Sequence, residues 1–229
     1  MMPRSTPAND LRPLFVVAVT AVQWLSEGTF EIRLERPDGF DFFPGQKISF
    51  VDGALRRDYT LLGPVDAREL ALCVRLVPDG LFSPRLSRAR IGDRFQITAP
   101  FGYFTLKTSG RRAVFVATGT GIAPFVAFAN DGARGFDLLH GVRTPAELYY
   151  RDLLFTAARR YIPCISAAAG DGEIGPAGFA GRVDRFLSTQ YPDGAYDFFL
   201  CGRIQMIRDV TRVIDARFSG SRVFIEAYD

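Results

Sequence analysis

Cysteine and histidine are scarce in this chain. It has three cysteines, Cys73, Cys164 and Cys201, and one histidine, His140. No two cysteines stand at Cys-x-x-Cys spacing. A conventional iron–sulfur cluster takes four thiolates, so the chain cannot supply one by itself. A lone histidine argues equally against a His-rich metal or haem site, and no metal ligands are assigned. Thiols placed singly fit a reducing cytoplasm. Long apolar runs are also missing. The stretch Leu14 to Val22 is too short to cross a bilayer and reads as a strand, so no transmembrane segment is expected. The polar opening, Met1 to Asp10, is followed by no signal-peptide pattern. A charge bias is absent too. With 28 basic and 25 acidic residues the net charge is +3, too small to imply nucleic-acid binding.

What is present is ordinary for a soluble globular protein. The 229 residues allow one large domain or two small ones, and 48% hydrophobic against 23% charged residues gives each half material for a core. The first hundred residues read as strands at Leu14 to Trp24, Phe30 to Leu34, Lys47 to Val51, Arg57 to Leu62, Glu69 to Val77 and Arg94 to Ala99. Turn residues such as Pro37-Asp38-Gly39, Pro44-Gly45 and Pro78-Asp79-Gly80 separate them, as in an antiparallel barrel. A polar stretch, Lys107 to Arg111, reads as a linker between domains at 1–107 and 111–229. Beyond it strands alternate with helices. Strands are expected at Ala113 to Ala117, Phe136 to Leu139, Ile162 to Ala168, Asp197 to Leu200 and Val223 to Ile225. Helices are expected from Pro124, at Ala146 to Arg159, at Arg182 to Leu187 and at Ile204 to Arg217. That alternation means a parallel α/β sheet with ligands at the strand C-termini.

Five short patterns carry the chemistry. Arg57 and Tyr59 lie two apart on one strand and so share a face, while Thr60 points the other way. A cation for phosphates, an aromatic face and a small hydroxyl are what a flavin requires. A surface Arg beside a cross-strand Tyr would look the same in isolation. Gly80-Leu81-Phe82-Ser83-Pro84 follows a strand; Ser83 before Pro84 suits a helix N-cap, and a helix N-terminus binds phosphate through its backbone N–H groups. Thr118-Gly119-Thr120-Gly121-Ile122-Ala123-Pro124 follows an apolar strand, where glycines let the backbone approach a pyrophosphate. Cys201-Gly202 again ends an apolar strand, and Glu226-Ala227-Tyr228 nearly closes the chain before Asp229.

In this order the patterns resemble those of the ferredoxin–NADP reductase superfamily, in its compact bacterial form without a fused iron–sulfur domain. The likeness runs from about Leu14 to Asp229. The resemblance implies a flavin-binding antiparallel barrel followed by an NAD(P)-binding α/β domain. Arg57 would pair with the flavin phosphate, Tyr59 would pack on the ring, and Thr60 would sit near its reactive edge. Arg75 and Leu76 would line the flavin chain, with Gly80, Leu81, Phe82 and Ser83 at a second phosphate segment. Thr118, Gly119, Thr120, Gly121 and Pro124 would form the nucleotide loop, and Arg143 would contact the dinucleotide phosphates. Cys201, Gly202 and Met206 would shape the nicotinamide site without Cys201 acting as a nucleophile. Glu226 would join a proton and charge network, and Tyr228 would cover the flavin face. His140 is given a structural role. The catalytic set is therefore Thr60, Cys201, Glu226 and Tyr228.

The cofactor implied is FAD, with Tyr103 and Phe104 as candidate aromatic contacts and FMN less favoured. The substrate is NADH or NADPH. NADPH-specific members carry a Ser-Arg pair after the third strand of the nucleotide domain. Here the stretch is Ile165-Ser166-Ala167-Ala168-Ala169-Gly170, with the serine and without the arginine. Arg182 and Arg143 remain for a 2′-phosphate, and Asp171 and Glu173 would oppose one, so the balance leans to NADH. The resemblance further implies release of single electrons to a small redox protein such as a ferredoxin. The alternatives are the reductase component of a multicomponent oxygenase and a flavin-binding subunit of a larger complex.

Overall fold

A computed structural model describes residues 12–107, 109–167 and 178–228. The first half forms a six-stranded antiparallel sheet. Its strands are β1 (Leu14–Ser26), β2 (Thr29–Glu35), β3 (Lys47–Asp52), β4 (Leu55–Thr60), β5 (Glu69–Arg75) and β6 (Arg94–Thr98), in the order β4-β3-β6-β1-β2-β5. A single bridge, Leu61 to Leu72, joins the two ends, and the sheet curls into a barrel. Inward residues alternate along each strand, and Val17, Val19, Ile32, Leu34, Ile48, Phe50 and Leu72 fill the interior. A short helix, α1 (Ser83–Ser87), covers one end and buries Leu86.

The second half is a parallel sheet. It contains β7 (Ala113–Thr118), β8 (Asp137–Val142), β9 (Arg160–Ile165), β10 (Phe179–Ala180), β11 (Asp197–Arg203) and β12 (Arg222–Tyr228), ordered β10-β9-β8-β7-β11-β12. Strands β8 and β11 are buried almost throughout, as expected of strands covered on both faces. Helices α2 (Ala123–Asn130) and α3 (Arg151–Ala157) share one hydrophobic cluster, whereas α4 (Val183–Thr189) and α5 (Ile204–Arg217) pack into another. The strand order reverses beside β7, between β8 and β11, which is where open α/β sheets hold their ligands.

Three elements differ from the sequence expectation, the first being the short edge strand β10, which the sequence reading did not include. The helix expected over 146–159 is a short 3₁₀ turn, Pro145–Glu147, followed by α3 alone. Tyr150 breaks it in the left-handed region at φ 57°. The strand expected to run to Ala168 stops at Ile165, although the Ser166 N–H and hydroxyl still donate to the Val142 carbonyl of β8. Ala168 itself lies outside the described residues, as does Thr108 of the expected linker.

The left-handed turn at Tyr150 has a tertiary cause. It sends two adjacent tyrosines into the barrel. The Tyr149 hydroxyl donates to Thr29 Oγ1 at 2.9 Å and lies 3.0 Å from Ser26 Oγ. The Tyr150 hydroxyl donates to the buried carboxylate of Glu31 at 2.9 Å, which Arg33 Nε also contacts at 2.8 Å. On the same interface a phenylalanine cluster passes between the halves. Phe104, from the segment leaving the barrel, stacks on Phe128 and meets Phe125 and Phe199 edge-on. Phe115 stacks on Phe125 and Phe136. The two sheets thus share one core. Tyr150→Phe would leave a Glu31 oxygen without its donor inside that interface. The variant is expected to lose about 1–3 kcal/mol of stability, measured by urea denaturation. An unchanged midpoint would mean that the contact does not help hold the halves together.

Candidate functional site

The C-terminal ends of five neighbouring parallel strands carry half of the residues singled out from the sequence. Ser166 follows β9, Arg143 follows β8, the Thr118–Pro124 loop follows β7, Cys201 and Gly202 end β11, and Glu226 and Tyr228 end β12. With strands spaced about 4.8 Å apart, four steps span about 19 Å, a reach suited to an extended dinucleotide. The loop after β7 and the end of β11 lie at the reversal of strand order.

The loop is built by close backbone approach. It is a 3₁₀ turn, Gly119–Ile122, leading into α2 with Pro124 buried in its first turn. A Cβ at Gly121 would come within 2.3 Å of the Cys201 carbonyl oxygen. A Cβ at Gly202 (φ +141°) would come within 2.2 Å of Thr118 Oγ1 and 3.2 Å of the Met206 methyl. These glycines therefore let the loop after β7 lie flat on the end of β11. Gly119 differs, with φ +54° and open space where a side chain would stand. Thr118 Oγ1 is buried with no hydrogen-bond partner among the described residues. An open glycine beside an orphaned hydroxyl at the switch point fits a dinucleotide loop.

The four residues assigned to catalysis come together from both halves. Thr60 Oγ1, at the end of β4, is 2.5 Å from the Tyr228 hydroxyl. Cys201 is fully buried beside Tyr228, and burial first, then the Glu226 charge, pushes its thiol well above the ordinary range. Burial likewise raises the Tyr228 phenol well above its usual value. Both groups therefore stay protonated at neutral pH, and Cys201 is not a thiolate nucleophile. Glu226 accepts from Lys47 Nζ at 2.8 Å, an ion pair that crosses from β12 to the barrel. Lys47 was not singled out from the sequence. It reads there as an ordinary strand lysine, and only its place opposite Thr60 in the β3–β4 ladder brings it to the site.

On the barrel, Arg57 is exposed, and Tyr59 is partly buried against Phe50 at 5.5 Å. Burial pushes the Tyr59 phenol up to about 12, and the Arg57 charge opposes that rise. Arg75 is exposed at the end of β5, and the Leu76 N–H donates to the Gly28 carbonyl. Ser83 is not at the cap. Phe82 holds that position and Ser83 is the first helical residue. Its hydroxyl instead closes the preceding loop, accepting from the Val77 N–H and donating to the Val77 carbonyl. Leu81 is exposed, but Phe82 is packed in the barrel core near Phe50, which leaves its backbone alone to face the loop at Gly80.

Arg143, Ser166 and Arg182 stand apart from the catalytic group, toward the β8–β9 side. Arg143 is exposed and Ser166 spends its hydroxyl on Val142. Arg182 is held by Asp209 at 2.9 Å and Asp184 at 3.3 Å. Asp171 and Glu173 lie outside the described residues. His140 is buried in β8 with Nδ1 2.8 Å from the Tyr161 hydroxyl, and burial lowers its pKa to about 3, so its ring is neutral. Tyr103 is 95% exposed, while Phe104 is buried in the shared core. Among the described residues no helix is long and apolar enough to cross a membrane, and no cluster of side chains forms a metal site.

If the Gly202 contact is as tight as this, Gly202→Ala is expected to cost about 1–3 kcal/mol from overpacking. It should also weaken nucleotide binding, read by isothermal titration. Gly28→Ala, which meets nothing within 4 Å, is the control and should change neither. Equal behaviour of the two variants would refute the close-approach reading.

Comparisons with known proteins find matches in both halves of the chain. Residues 17–106 match the oxidoreductase FAD-binding domain, and residues 115–212 match the oxidoreductase NAD-binding domain. The anthranilate 1,2-dioxygenase electron transfer component of Acinetobacter baylyi is 31% identical over 86% of this chain and 62% of its own length. A flavodoxin/ferredoxin–NADP reductase of Rhodobacter capsulatus is 32% identical over 58% of this chain and 54% of its own. The chain therefore spans about three fifths of the length of the curated relatives it matches. Among solved structures, a cytochrome P450 reductase from Amycolatopsis superposes with a TM-score of 0.79 at 27% identity, covering 94% of this chain and 70% of that one. A ferredoxin NADP+ reductase from Neisseria gonorrhoeae, with bound FAD and NADP, has the same fold at a TM-score of 0.77 and 23% identity, covering 89% and 91%. With its flavin-type barrel, its nucleotide-type sheet and the matches in both halves, the chain belongs to the ferredoxin–NADP reductase superfamily.

Proposed function

We propose that the protein is an FAD-dependent NAD(P)H oxidoreductase. In this reading residues 1–107 hold the flavin and residues 111–229 bind the nicotinamide nucleotide. The observation that carries it is the meeting of Thr60 from the barrel with Cys201, Glu226 and Tyr228 from the parallel sheet. Flavin bound there would take two electrons from the nucleotide and return them one at a time. The residues supply the setting. Arg57 and the Gly80–Ser83 loop would hold the phosphates, and Tyr59 would offer an aromatic wall. The open Gly119 and the unpaired Thr118 hydroxyl receive the nucleotide backbone. Cys201, neutral and small, leaves room for the nicotinamide and puts no competing charge beside it. Tyr228 stands over the site with its hydroxyl between Thr60 and Cys201 and would move aside for the nicotinamide.

The electron acceptor in this reading is a small iron–sulfur protein of the ferredoxin kind, and the compartment is the cytoplasm. A second reading, the reductase component of a multicomponent oxygenase, is favoured by the relative named as an electron transfer component of a dioxygenase. The nucleotide preference leans to NADH. Arg182 is already shared between two carboxylates, Ser166 is engaged with the backbone, and Ala167 stands where an arginine would serve a 2′-phosphate.

The test is anaerobic titration of the purified yellow protein with each nucleotide, followed at the flavin band. NADH is expected to bleach it faster than NADPH. Faster bleaching by NADPH would reverse the assignment of preference. A protein that takes up neither FAD nor FMN, or a yellow protein that neither nucleotide reduces, would overturn the oxidoreductase reading.

A further inference from the structure

The contact between β12 and the barrel has a regular construction. Lys47 and Thr60 are directly opposite each other in the β3–β4 ladder. Glu226 and Tyr228 are two apart on β12 and so share one face. Each barrel residue grips one of them: Lys47 Nζ lies 2.8 Å from Glu226, and Thr60 Oγ1 lies 2.5 Å from Tyr228. Lys47 is shared. Its ammonium is also 3.3 Å from Asp58 Oδ2 on β4. The side chains of Lys47 and Glu226 are 21% and 15% exposed, and Asp58 is 45% exposed. A cleft opens beside them, walled by Gln46, Phe101, Phe104 and Phe224. The groups that interact with Lys47 are Asp58 from β4, Glu226 from β12 and, more weakly, Cys201 from β11. Arg12 lines the same cleft, stacked on the Phe101 ring with Lys47 Nζ 5.3 Å from that ring, and its charge is common to every variant compared below. Cys201 and Tyr228 are neutral. The ion triad is therefore one cation between two carboxylates, a local charge of minus one.

We propose that Lys47 is a positioning residue that balances Glu226 and Asp58 beside the bound flavin, and so sets how readily that flavin accepts electrons. This rests on the proposed flavin site at Thr60. Reduction adds negative charge next to the triad, and partly buried charges act on one another more strongly than in water. With Lys47 in place the second carboxylate is compensated. Without it two carboxylates face the site unpaired, and reduction becomes harder. Lys47 also anchors Glu226 while the Tyr228 contact opens and closes, so the end of β12 keeps its register on the barrel.

The experiment is spectroelectrochemical titration of the flavin-loaded protein and its variants, with the circular dichroism of each as a folding control. Lys47→Met takes the triad from minus one to minus two and should lower the flavin midpoint potential by about tenfold in the reduction equilibrium, roughly 30 mV for a two-electron couple. Lys47→Arg keeps the charge and should restore the wild-type value. Glu226→Gln should raise the potential. The double variant Lys47→Met/Glu226→Gln returns to minus one and should lie near wild type. A loss of packing would not follow this arithmetic of charge. Should Lys47→Met not fold, Asp58→Asn must still raise the potential. Potentials that ignore the net charge, or a double variant as low as Lys47→Met, would overturn the role given to Lys47. A wild-type protein that takes up no flavin would instead overturn the underlying site.

Discussion

The barrel and the parallel sheet touch along a seam of buried phenylalanine, and the geometry of the site depends on it. Phe104 leaves the barrel and enters the sheet's own core, against Phe125, Phe128 and Phe199. Phe199 in turn stacks on Phe224 of β12 at 4.6 Å. Close-packed rings of this kind permit little sliding. Polar contacts flank the seam: Tyr149 and Tyr150 reach Thr29 and Glu31, Asn130 donates to the Leu62 carbonyl, and Lys47 meets Glu226. Each would be modest alone. Together they fix the angle between two sheets whose strand ends must present groups to the same point.

That rigidity matters because the site is assembled from far-separated pieces. Thr60 and Tyr228 are 168 residues apart, and Lys47 and Glu226 are 179 apart. A reaction between two bound groups is sensitive to small errors in their relative placement. A shared core is the means by which a two-part chain keeps that placement without a covalent link at the site. The left-handed backbone of Tyr150 belongs to this arrangement, since from there its hydroxyl reaches Glu31.

Much of this was legible in the sequence, for local reasons. Apolar runs ending in Gly119 and Gly202 marked buried strands with tight exits, and the alternation of the first hundred residues marked a barrel. The order of elements followed, as did the gathering of Thr60, Cys201, Glu226 and Tyr228 once the patterns were read together. What escaped was set by contacts across the chain. Lys47 sits in a strand where a lysine normally faces water, and nothing nearby in sequence announces Glu226. The run 146–159 has the spacing of a single helix, yet the barrel captures its first turn through two tyrosines. Ser83 has the look of a cap, but the Val77 backbone claims its hydroxyl.

Both grips on β12 end within two residues of each other, and they differ in kind. The Lys47–Glu226 pair is charged, partly buried and doubly anchored through Asp58. The Thr60–Tyr228 contact is one hydrogen bond between neutral hydroxyls at the last described residue of the strand. Charge-assisted pairs are the stronger class. Any opening of the strand end is therefore expected to begin at Tyr228 and to stop at Glu226. In the proposed function, Tyr228 would then swing on a fixed Glu226 to admit a planar ligand over Thr60, while the phenylalanine seam, two residues further back at Phe224, would stay closed.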